Sequence, residues 1–292
     1  AVAPPFPEDG VMVSPDELGR RAQDRAFPDG TPFRGVSVAD VLDLGRAAGG
    51  REVETAALGA GIVPERYARN MRTFSHADQA ELLGAHAAVI GLGGLGGTVV
   101  EILARLGVGR LTLVDGDRFE DSNLNRQLLS TVELLGRPKA EAARLRVEQI
   151  NPSVEVAAHA CFLTADNAPG LLAGCGIAVD CLDNLPARFV LEDACRSAGM
   201  PLVSAAVAGA AGHLTTVFPG DRGLRLIYGD PAKAPRKGAE TALGTVPHCV
   251  VCMASLECAE VVKVLLNRGR PLRDRLLLAD LTEGLIEVMN LR

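Results

Sequence analysis

The sequence predicts an α/β protein with a Rossmann-like, mostly parallel sheet that has helices on both faces and is extended by later strands. Short apolar runs alternate with segments of helical periodicity from about residue 86 onward, which is typical of successive βαβ units. A glycine-rich turn joins the first of these runs to the first helix. Of the 292 residues, 48% are hydrophobic and 23% are charged, which is the composition of an ordinary globular protein.

Charge and cysteine content exclude several classes of function. The net charge of −6 gives a nucleic-acid partner no general electrostatic support, so we expect none. No apolar run approaches the roughly 18 to 20 residues that span a bilayer, and residues 1–15 lack the features of a signal peptide. The seven cysteines are an odd number scattered through apolar sequence, which does not suggest a disulfide framework. We therefore expect a cytoplasmic protein that does not contact membranes.

The N-terminal part is predicted as an appendage, over residues 1–62, to a domain over residues 63–292. Proline and glycine recur through residues 1–35, which favours turns and weak order there. Two short helices are predicted next, over residues 37–48 and 52–59. The appendage is therefore expected to be small and partly helical.

The domain is expected to open with a βαβ unit of about thirty residues. Its parts are an apolar run that begins near residue 86, a helix that includes residues 98–106 and a strand over residues 110–114. Later strands are predicted over residues 154–158, 177–179, 202–206, 213–218, 276–279 and 286–290. Later helices are predicted over residues 138–150 and 250–266, with a third that starts at Pro186. A basic, Gly- and Pro-rich stretch over residues 219–247 is predicted as a long loop, which in a compact domain is usually functional or mobile.

The glycine-rich turn after the first strand fits the pattern Gly-x-Gly-x-x-Gly. Its glycines are Gly91, Gly93, Gly94 and Gly96. Glycines permit a tight turn and let backbone N–H groups approach a phosphate at the helix N-terminus. Asp115 ends the next strand, 24 residues after Gly91, where an acidic residue can hold a ribose hydroxyl. The turn predicts a bound nucleotide, and by itself it does not distinguish ATP from NAD.

A polar segment over residues 115–127 follows the second strand and favours a triphosphate over a dinucleotide. Arg126 offers a planar set of donors to phosphate oxygens. We expect Asn123 and Gln127 to hold its guanidinium in place, and Asp117 to belong to the same nucleotide site. The alternative is a solvated loop with mutual salt bridges.

Two further charged residues are candidates for the same site. Lys139 lies in the first turn of a helix, where a cation opposes the helix dipole at a cost on the order of a few tenths of a kcal/mol. Either a bound phosphate or exposure to water would offset this cost. Asp183 and Asn184 follow the carboxyl end of a strand, where open α/β sheets bind ligands. Asp183 would suit Mg²⁺, and the alternative is that Asp183 or Asn184 caps the next helix.

Together these segments resemble the HesA/MoeB/ThiF family, the bacterial relatives of ubiquitin-activating enzymes. The resemblance covers residues 64–292 and is tightest over residues 86–185. The motifs that carry it, in the order and spacing of the family, are Arg-Tyr-Ala-Arg-Asn at 66–70, Gly-Leu-Gly-Gly-Leu-Gly at 91–96, Ser-Asn-Leu-Asn-Arg-Gln at 122–127, Gly-Arg-Pro-Lys-Ala at 136–140, Ile-Asn-Pro at 150–152 and Asp-Cys-Leu-Asp-Asn at 180–184.

The resemblance implies an enzyme that uses ATP to adenylate the C-terminal Gly-Gly carboxylate of a small ubiquitin-like sulfur-carrier protein, with release of pyrophosphate. Asp183 would hold Mg²⁺, and Arg69, in a segment with no obvious core role, would reach the nucleotide of a partner subunit and so imply a homodimer. Catalysis would then be positioning and charge stabilisation by Arg69, Arg126, Lys139 and the metal. The residues that would contact ATP are Gly94, Asp115, Asn123, Arg126 and Lys139.

Two departures from the family pattern concern metal and covalent chemistry. Many relatives carry two Cys-x-x-Cys pairs that bind structural zinc, whereas one pair is present here, Cys249 and Cys252. Zinc is therefore not expected, and Cys249, Cys252 and Cys258 are expected to be small residues buried in a helix. Residues 219–247, where relatives that link covalently to the carrier place a cysteine, contain none. This predicts adenylation without an enzyme–carrier bond.

Three other functions stay open at the level of sequence. The first is a tRNA-modifying dehydratase of the same fold, against which the acidic balance argues mildly. The second is an NAD-dependent dehydrogenase, in which Arg126, Lys139 and Asp183 would have no joint purpose. The third is a catalytically inert binding module that retains the fold. The presence of all the polar residues expected at the nucleotide site argues against it.

Two weaker candidates are interpreted as structural. Lys233, Arg236 and Lys237 in the loop could steer an acidic carrier, and a solvated basic loop is the favoured interpretation. His213 lies on a predicted strand and is interpreted as a hydrogen-bonded structural histidine.

Overall fold

Two β-sheets organise the chain in the computed structural model, which describes residues 13–233 and 238–291. The larger sheet has eight strands and the smaller has three. Residues 1–12, Arg236 and Lys237, about which the sequence made predictions, lie outside the described residues. Within the described part of the chain, no helix combines the length and apolarity needed to cross a membrane.

From residue 13 onward, the N-terminal unit contains three helices and the three-stranded sheet. Strand β2 (Pro32–Val36) lies in the centre of this sheet, antiparallel to β1 (Gln23–Ala26) and parallel to β3 (Val63–Pro64). The pairing of β2 with β3 joins the predicted appendage, residues 1–62, to the start of the predicted domain. The elements in chain order are α1 (Pro15–Arg21), β1 (Gln23–Ala26), β2 (Pro32–Val36), α2 (Val38–Ala48), α3 (Gly50–Gly59) and β3 (Val63–Pro64). A small apolar core fills the space between them and includes Leu18, Val36, Val41, Val53 and Ile62.

Helices α2 and α3 lie where two short helices were predicted, whereas the small sheet was not predicted. The expectation of turns is confirmed at residues 28–30, between β1 and β2, whereas the expectation of weak order is wrong for residues 15–35, which form α1, β1 and β2. Pro15 is the first residue of α1 and Pro32 is the first of β2. Proline is tolerated at the first position of a helix or strand, so these prolines begin elements rather than break them.

The eight-stranded sheet confirms the predicted fold class. Its strands are β4 (His86–Ile90), β5 (Arg110–Val114), β6 (Glu155–His159), β7 (Ile177–Asp180), β8 (Leu202–Ala208), β9 (Ala211–Val217), β10 (Arg275–Asp280) and β11 (Leu285–Asn290). Across the sheet their order is β11-β10-β9-β8-β7-β4-β5-β6. The strands from β6 to β8 in this order are parallel, and β9, β10 and β11 extend the sheet as antiparallel strands.

Helices cover both faces of this sheet. They are α4 (His76–Gly84), α5 (Gly94–Leu106), α6 (Lys139–Ile150), α7 (Ala168–Leu171), α8 (Leu185–Ala198), α9 (Arg225–Tyr228), α10 (Glu240–Leu243) and α11 (Pro247–Leu265). Val89 of β4 packs in the core beneath α5, α6 and α11, and Ile90 packs in the core beneath α7 and α8. Helices α9 and α10 lie within residues 219–247, so the prediction of one long loop there is wrong in part, because helices of four residues leave no periodicity to recognise.

The direction in which the sheet grows reverses between β4 and β7. The chain runs from β4 to β5 and β6 on one side, and then returns to β7 and β8 on the other. The helices that follow β4 and β7, α5 and α8, therefore lie on opposite faces of the sheet, and a crevice opens at the carboxyl ends of the strands, where open α/β sheets bind ligands. The glycine-rich turn follows β4, and Asp183 follows β7.

A buried polar network joins the N-terminal unit to the main domain. Tyr67 is fully buried, and its hydroxyl donates to Glu54 Oε2 of α3 at 3.0 Å and accepts from Asn151 Nδ2 at 2.8 Å. Arg66 forms an ion pair with Glu54 at 2.9 Å and donates a hydrogen bond to Asn151. The expectation that the segment around Tyr67 has no core role is therefore wrong.

We expect Asn151→Ala to lower the free energy of unfolding by about 2 to 4 kcal/mol, because several buried polar groups lose their partners. The amide donates to the Tyr67 hydroxyl and to the Ala104 carbonyl, and it accepts from the Ser153 backbone N–H. Urea denaturation followed by circular dichroism measures the change. Asn290→Ala, on the exposed strand β11, is the control and should change stability by less than about 0.5 kcal/mol. Equal effects of the two substitutions would contradict the role given to Asn151.

Candidate functional site

A cavity of about 1440 Å³ opens over the crevice between β4 and β7. Its walls come from the turn after β4, the loops after β5, β6 and β7, the hairpin between β8 and β9 and the end of β10. Three predicted site residues, Gly96, Asn123 and Arg69, do not line it. The other ten predicted site residues do: Gly91, Gly93, Gly94, Asp115, Asp117, Arg126, Gln127, Lys139, Asp183 and Asn184.

The glycine-rich turn presents bare backbone to the cavity. Gly91 has a φ of 90°, and a Cβ on it would lie 2.6 Å from the Cys181 carbonyl oxygen. A Cβ on Gly96 would overlap the Gly91 carbonyl oxygen, so Gly96 allows α5 to pack against the turn. Gly93 and Gly94 lie between them at the start of α5 and face the cavity. The first backbone N–H groups of the helix can therefore approach a ligand phosphate without an intervening side chain.

Asp115 connects the turn to the loop after β5. Its Oδ2 accepts from the Leu92 backbone N–H at 2.7 Å, and its Oδ1 accepts from the Asp117 backbone N–H at 2.7 Å. Burial raises the pKa of the Asp115 carboxyl above its ordinary value, although the two backbone donors oppose this shift. Each carboxylate oxygen keeps a second lone pair, so the group can still accept from a ribose hydroxyl.

Lys139 is the first residue of α6 and is only 6% exposed. Exposure to water therefore does not explain a cation at this helix N-terminus. Its Nζ lies 3.2 Å from Asp117 Oδ2, and this carboxylate is itself half exposed. The ammonium has three N–H donors, so it can hold Asp117 and still donate to an anion in the cavity.

Arg126 is half-buried and is oriented by its own segment. Its Nη1 donates to the Ser122 carbonyl at 2.8 Å and to Asn125 Oδ1 at 2.9 Å. The expectation that Asn123 and Gln127 hold the guanidinium is therefore wrong. Asn123 Oδ1 instead accepts from the backbone N–H of residue 120 at 3.1 Å, which closes the short helical turn that begins the motif. The remaining guanidinium donors are available to phosphate oxygens.

Gln127 lines the cavity beside the glycine-rich turn and is 6% exposed. A Cβ on Gly93 would lie 3.7 Å from Gln127 Nε2. Its Oε1 is buried and accepts no hydrogen bond within the described residues. A buried acceptor without a donor is costly, so a polar ligand in the cavity would offset this cost.

Asp183 and Asn184 have different roles. Asn184 caps α8, since its Oδ1 accepts from the Ala187 backbone N–H at 3.0 Å. Asp183 is exposed at the cavity, and its Oδ1 accepts from Asn184 Nδ2 at 3.2 Å. Among the described residues, no group of three or more His, Cys, Asp or Glu side chains is arranged to hold a metal. Mg²⁺ bound to Asp183 would therefore take its other ligands from phosphate oxygens and water, which is how Mg²⁺ usually binds.

A buried ion pair that the sequence analysis missed underlies the loop after β7. Arg188 of α8 is 4% exposed, lines the cavity, and its Nη1 lies 2.8 Å from Asp180 Oδ2. Asp180 also accepts from Ser204 Oγ at 2.6 Å and from the Leu182 backbone N–H at 3.1 Å. Arg188 in turn donates to the Leu182 carbonyl. The backbone directly before Asp183 is thus held from both sides.

The part of the cavity near β8, β9 and β10 is lined mainly by small side chains. His213 lies in this part, and its Nε2 is 2.8 Å from the Tyr228 hydroxyl. Burial lowers the pKa of His213 to about 4, so the imidazole is neutral at neutral pH. His213 is therefore a hydrogen-bonded histidine, as predicted, and it also forms part of the cavity wall. The small residues are Ala206, Ala208, Ala211, Gly212 and Ala279.

The three cysteines considered as zinc ligands lie in α11. Cys249 and Cys258 are buried, as predicted, whereas the expectation that Cys252 is buried is wrong, since Cys252 is partly exposed. The Cys258 Sγ lies 3.8 Å from the Val99 carbonyl oxygen, where it helps to pack α11 against α5.

Arg69 lies outside the cavity of its own chain. It is exposed, and within the described residues it makes no hydrogen bond or ion pair. Its neighbours Arg66 and Tyr67 are engaged in the network with Glu54 and Asn151. The segment is therefore anchored by its neighbours, while the Arg69 side chain stays exposed.

Comparison with known proteins identifies the family. The profile of the ThiF family matches residues 67–292. The chain is 35% identical over 233 residues to the SAMP-activating enzyme E1 of Haloferax volcanii, which covers 78% of this chain and 85% of that protein. It is 37% identical over 223 residues to the sulfur carrier protein adenylyltransferase of Thermus thermophilus, which covers 73% of this chain and 81% of that protein. The E. coli tRNA N6-threonylcarbamoyladenosine dehydratase, solved in complex with ATP, shares the fold with a TM-score of 0.59, 23% identity and coverage of 70% of this chain and 94% of that one. This chain belongs to the ThiF family.

Proposed function

We propose that this chain is an adenylyltransferase that uses ATP to activate the C-terminal carboxylate of a small ubiquitin-like sulfur-carrier protein. The observation that supports this proposal is that one cavity contains both the nucleotide motifs and a wall of small side chains. One end holds the glycine-rich turn, Lys139, Arg126 and Asp183, and the other end is lined mainly by small side chains of β8 and β9. A nucleotide at the first end and a chain terminus at the second would meet within one volume. The names of the two relatives support a protein substrate of this class.

The small-residue end of the cavity favours a substrate tail without side chains. Gly212 is backed by Met253, whose Cγ would lie 2.6 Å from a Cβ on that glycine. Gly212 thus lets α11 pack closely behind this wall, and Ala206, Ala208 and Ala211 carry only methyl groups on it. The wall cannot readily recede to admit bulk, because packed interiors resist displacement. A C-terminal Gly-Gly pair fits such a wall, whereas a branched side chain would meet it.

In the proposed reaction, a carboxylate oxygen of the carrier attacks the α-phosphorus of ATP. The bond from the α-phosphorus to the bridging oxygen breaks, which gives an acyl-adenylate and pyrophosphate. No general base is needed, because a carboxylate is ionised at neutral pH. Lys139 and Arg126 would donate to phosphate oxygens and stabilise the charge on the departing pyrophosphate, and Asp115 would hold the ribose. Asp183 would hold Mg²⁺, which supplies further charge neutralisation when bound.

A tRNA-modifying dehydratase of the same fold is the second candidate. The similarity to the E. coli dehydratase, at 23% identity, concerns the fold. The net charge of −6 disfavours a polyanionic substrate. Exchange of labelled pyrophosphate into ATP separates the two, since the proposal requires exchange that depends on a carrier protein ending in Gly-Gly rather than on tRNA.

We further propose a homodimer in which Arg69 of one chain enters the site of the other. The exposed Arg69 is unused in its own chain, and exposed apolar residues surround the nucleotide motif. Leu124, Leu128 and Val132, on either side of Arg126, are 39%, 55% and 75% exposed. Contiguous exposed apolar residues next to a site are typical of a protein–protein contact. A two-fold interface over this segment would bring a second chain to the mouth of the cavity.

Calorimetry should show ATP with Mg²⁺ binding at micromolar Kd, about −7 to −8 kcal/mol, with no measurable binding of NAD. The reason is that Lys139 and Arg126 provide two cations for a terminal phosphate that NAD lacks. Lys139→Met should weaken ATP binding, whereas Lys233→Met, on an exposed residue outside the cavity, should not. NAD binding of comparable strength would contradict the choice of ATP.

Asp183→Asn should lower carrier-dependent pyrophosphate exchange roughly 100- to 1000-fold, because it removes one metal-holding charge at nearly constant volume. Asp166→Asn is the matched control, since Asp166 is exposed and lies outside the cavity. Thermal unfolding should be unchanged in both variants. Exchange near the wild-type rate in Asp183→Asn would remove Asp183 from the proposed site.

Mixed dimers test the shared site. Arg69→Ala and Asp183→Ala homodimers should both be nearly inactive. A dimer of one Arg69→Ala chain and one Asp183→Ala chain, isolated with two different affinity tags, should keep roughly half of the wild-type activity, since both defects fall on one of its two sites.

The control dimer pairs a wild-type chain with a chain that carries both substitutions. If Arg69 acts across the interface, each of its two sites has one defect, and this dimer should be nearly inactive. The opposite pattern, an inactive first dimer and a half-active control, would place Arg69 in the site of its own chain. A fully active monomer would contradict the shared site altogether.

A further inference from the structure

A buried acidic residue of α11 contacts the segment that follows β7. Glu257 is fully buried, and its Oε2 lies 3.7 Å from the Cys181 Sγ. Burial raises the pKa of the Cys181 thiol, so the sulfur keeps its proton and donates it in this contact. The carbonyl of the same Cys181 is the group that a Cβ on Gly91 would meet, and Asp183 follows two residues later. Glu257 therefore touches the segment that sets the spacing of the site.

Glu257 has fewer hydrogen-bond donors than Asp180, the other buried carboxyl group nearby. Within the described residues, its Oε1 accepts no hydrogen bond and its Oε2 accepts from a thiol, which is a weak donor. Asp180 accepts from Arg188 Nη1, from Ser204 Oγ and from the Leu182 backbone N–H. A buried carboxylate without donors is much more costly than a buried neutral carboxyl group, so these surroundings suit an ionised Asp180 and a protonated Glu257.

The charges of this buried cluster balance when one of its two carboxyl groups is neutral. Asp180, Arg188 and Glu257 are all buried, so water does not screen their charges. One guanidinium matches one carboxylate, and Arg188 already forms an ion pair with Asp180 at 2.8 Å. A second buried carboxylate would be uncompensated, and such a group usually takes up a proton instead. The carboxyl group with fewer donors, that of Glu257, is the one that takes it.

The surroundings raise the pKa of Glu257 well above its ordinary value. Burial is the main cause, and the charge on Asp180 adds to it. Arg188, the Cys181 thiol and the Ala205 backbone oppose this rise without cancelling it. The direction of the shift agrees with the count of donors and with the balance of charges.

Other titratable side chains on α11 and on the elements packed against it are neutral, exposed or paired elsewhere. Burial raises the pKa of the Cys258 thiol, the next residue of α11, so this thiol adds no charge. On α4, His76 and Glu81 are exposed. The paired side chains are Asp78 with Arg268, Glu101 with Arg105, His213 with Tyr228 and Glu260 with Lys263. A charge on Glu257 would therefore act mainly on Asp180 and Arg188.

We propose that Glu257 is a positioning residue, a neutral carboxylic acid that keeps the backbone before Asp183 in place. The assignment rests on the proposed function for the role of Asp183, and it adds the protonation state that this backbone requires. Loss of the proton would place a second carboxylate beside the ion pair of Asp180 and Arg188. Arg188 would then be attracted by two carboxylates, and its hydrogen bond to the Leu182 carbonyl would weaken.

The pH dependence of stability tests the protonation state without any ligand. A glutamate in the unfolded chain loses its proton near pH 4.3, on the order of the model value, whereas the raised pKa of Glu257 keeps the proton on the folded chain. The wild type therefore loses stability as pH rises toward that raised pKa, and Glu257→Gln does not share this loss. From about pH 5.5 upward, the folding equilibrium constant of Glu257→Gln should rise relative to that of the wild type by up to about tenfold per pH unit, measured by urea denaturation.

Glu101→Gln is the matched control, on a partly buried glutamate of α5. Burial raises the pKa of Glu101, but hydrogen bonds from Arg146 and Arg105 outweigh this effect, so the net pKa is lowered. Glu101 is therefore ionised in the folded and the unfolded chain above about pH 5.5, and the relative stability of this variant should stay constant over the same range. A constant value for Glu257→Gln as well would overturn the proposal.

The Mg²⁺ dependence of ATP binding tests the positioning role. Glu257→Leu removes the acceptor for the Cys181 thiol, so it should raise the Mg²⁺ concentration for half-maximal ATP binding roughly 3- to 10-fold and leave the affinity for ATP without Mg²⁺ unchanged. Glu257→Gln keeps an uncharged acceptor and should restore the wild-type Mg²⁺ dependence. Equal losses with and without Mg²⁺ in Glu257→Leu would overturn the positioning role. Failure of the wild-type protein to bind ATP would overturn the proposed function and the positioning role with it, whereas the stability profile would still decide the protonation state.

Discussion

The site depends on the close approach of two backbone segments, the turn after β4 and the loop after β7. Gly91 has a positive φ, and a Cβ on it would lie 2.6 Å from the Cys181 carbonyl oxygen. Gly96 permits the matching approach of α5 to the turn. A side chain at either position would push the two segments apart. Because Asp183 lies two residues after Cys181, this contact sets the distance between the phosphate-facing N–H groups and the proposed metal-holding carboxylate.

A second constraint keeps that contact from loosening. The ion pair between Asp180 and Arg188 is buried, and removal of one partner from such a pair costs about 3 to 5 kcal/mol. Its hydrogen bonds to both backbone groups of Leu182 hold the segment that precedes Asp183. The Asp183 side chain itself is exposed. The backbone at Asp183 is thus fixed, while its carboxylate accepts one hydrogen bond from Asn184 and keeps other lone pairs open to the cavity, which suits the proposed metal-holding role.

The sequence predicted the parts of the molecule that local patterns encode. The alternation of strands and helices predicted the main sheet. Of the thirteen site residues that the motifs predicted, ten line the cavity. Contacts between distant segments were not predictable in this way. Arg188 donates to Ser204, which the pairing of β7 with β8 brings near it, and the buried Tyr67 hydroxyl accepts from Asn151, which lies 84 residues later in the chain. The small N-terminal sheet was missed because its prolines resemble breakers until their positions in the elements are known.

The pairing of charges distinguishes two of the proposed catalytic residues, Arg126 and Asp183, from Lys139 and Arg188. Arg188 is matched by Asp180, and Lys139 is matched in part by the half-exposed Asp117. Within the described residues, Arg126 and Asp183 line the same cavity without an ion-pair partner of opposite charge. An anion alone would satisfy Arg126 and repel Asp183, and a cation alone would do the reverse. A triphosphate with bound Mg²⁺ carries both signs, so it is the ligand that complements the two unpaired charges together.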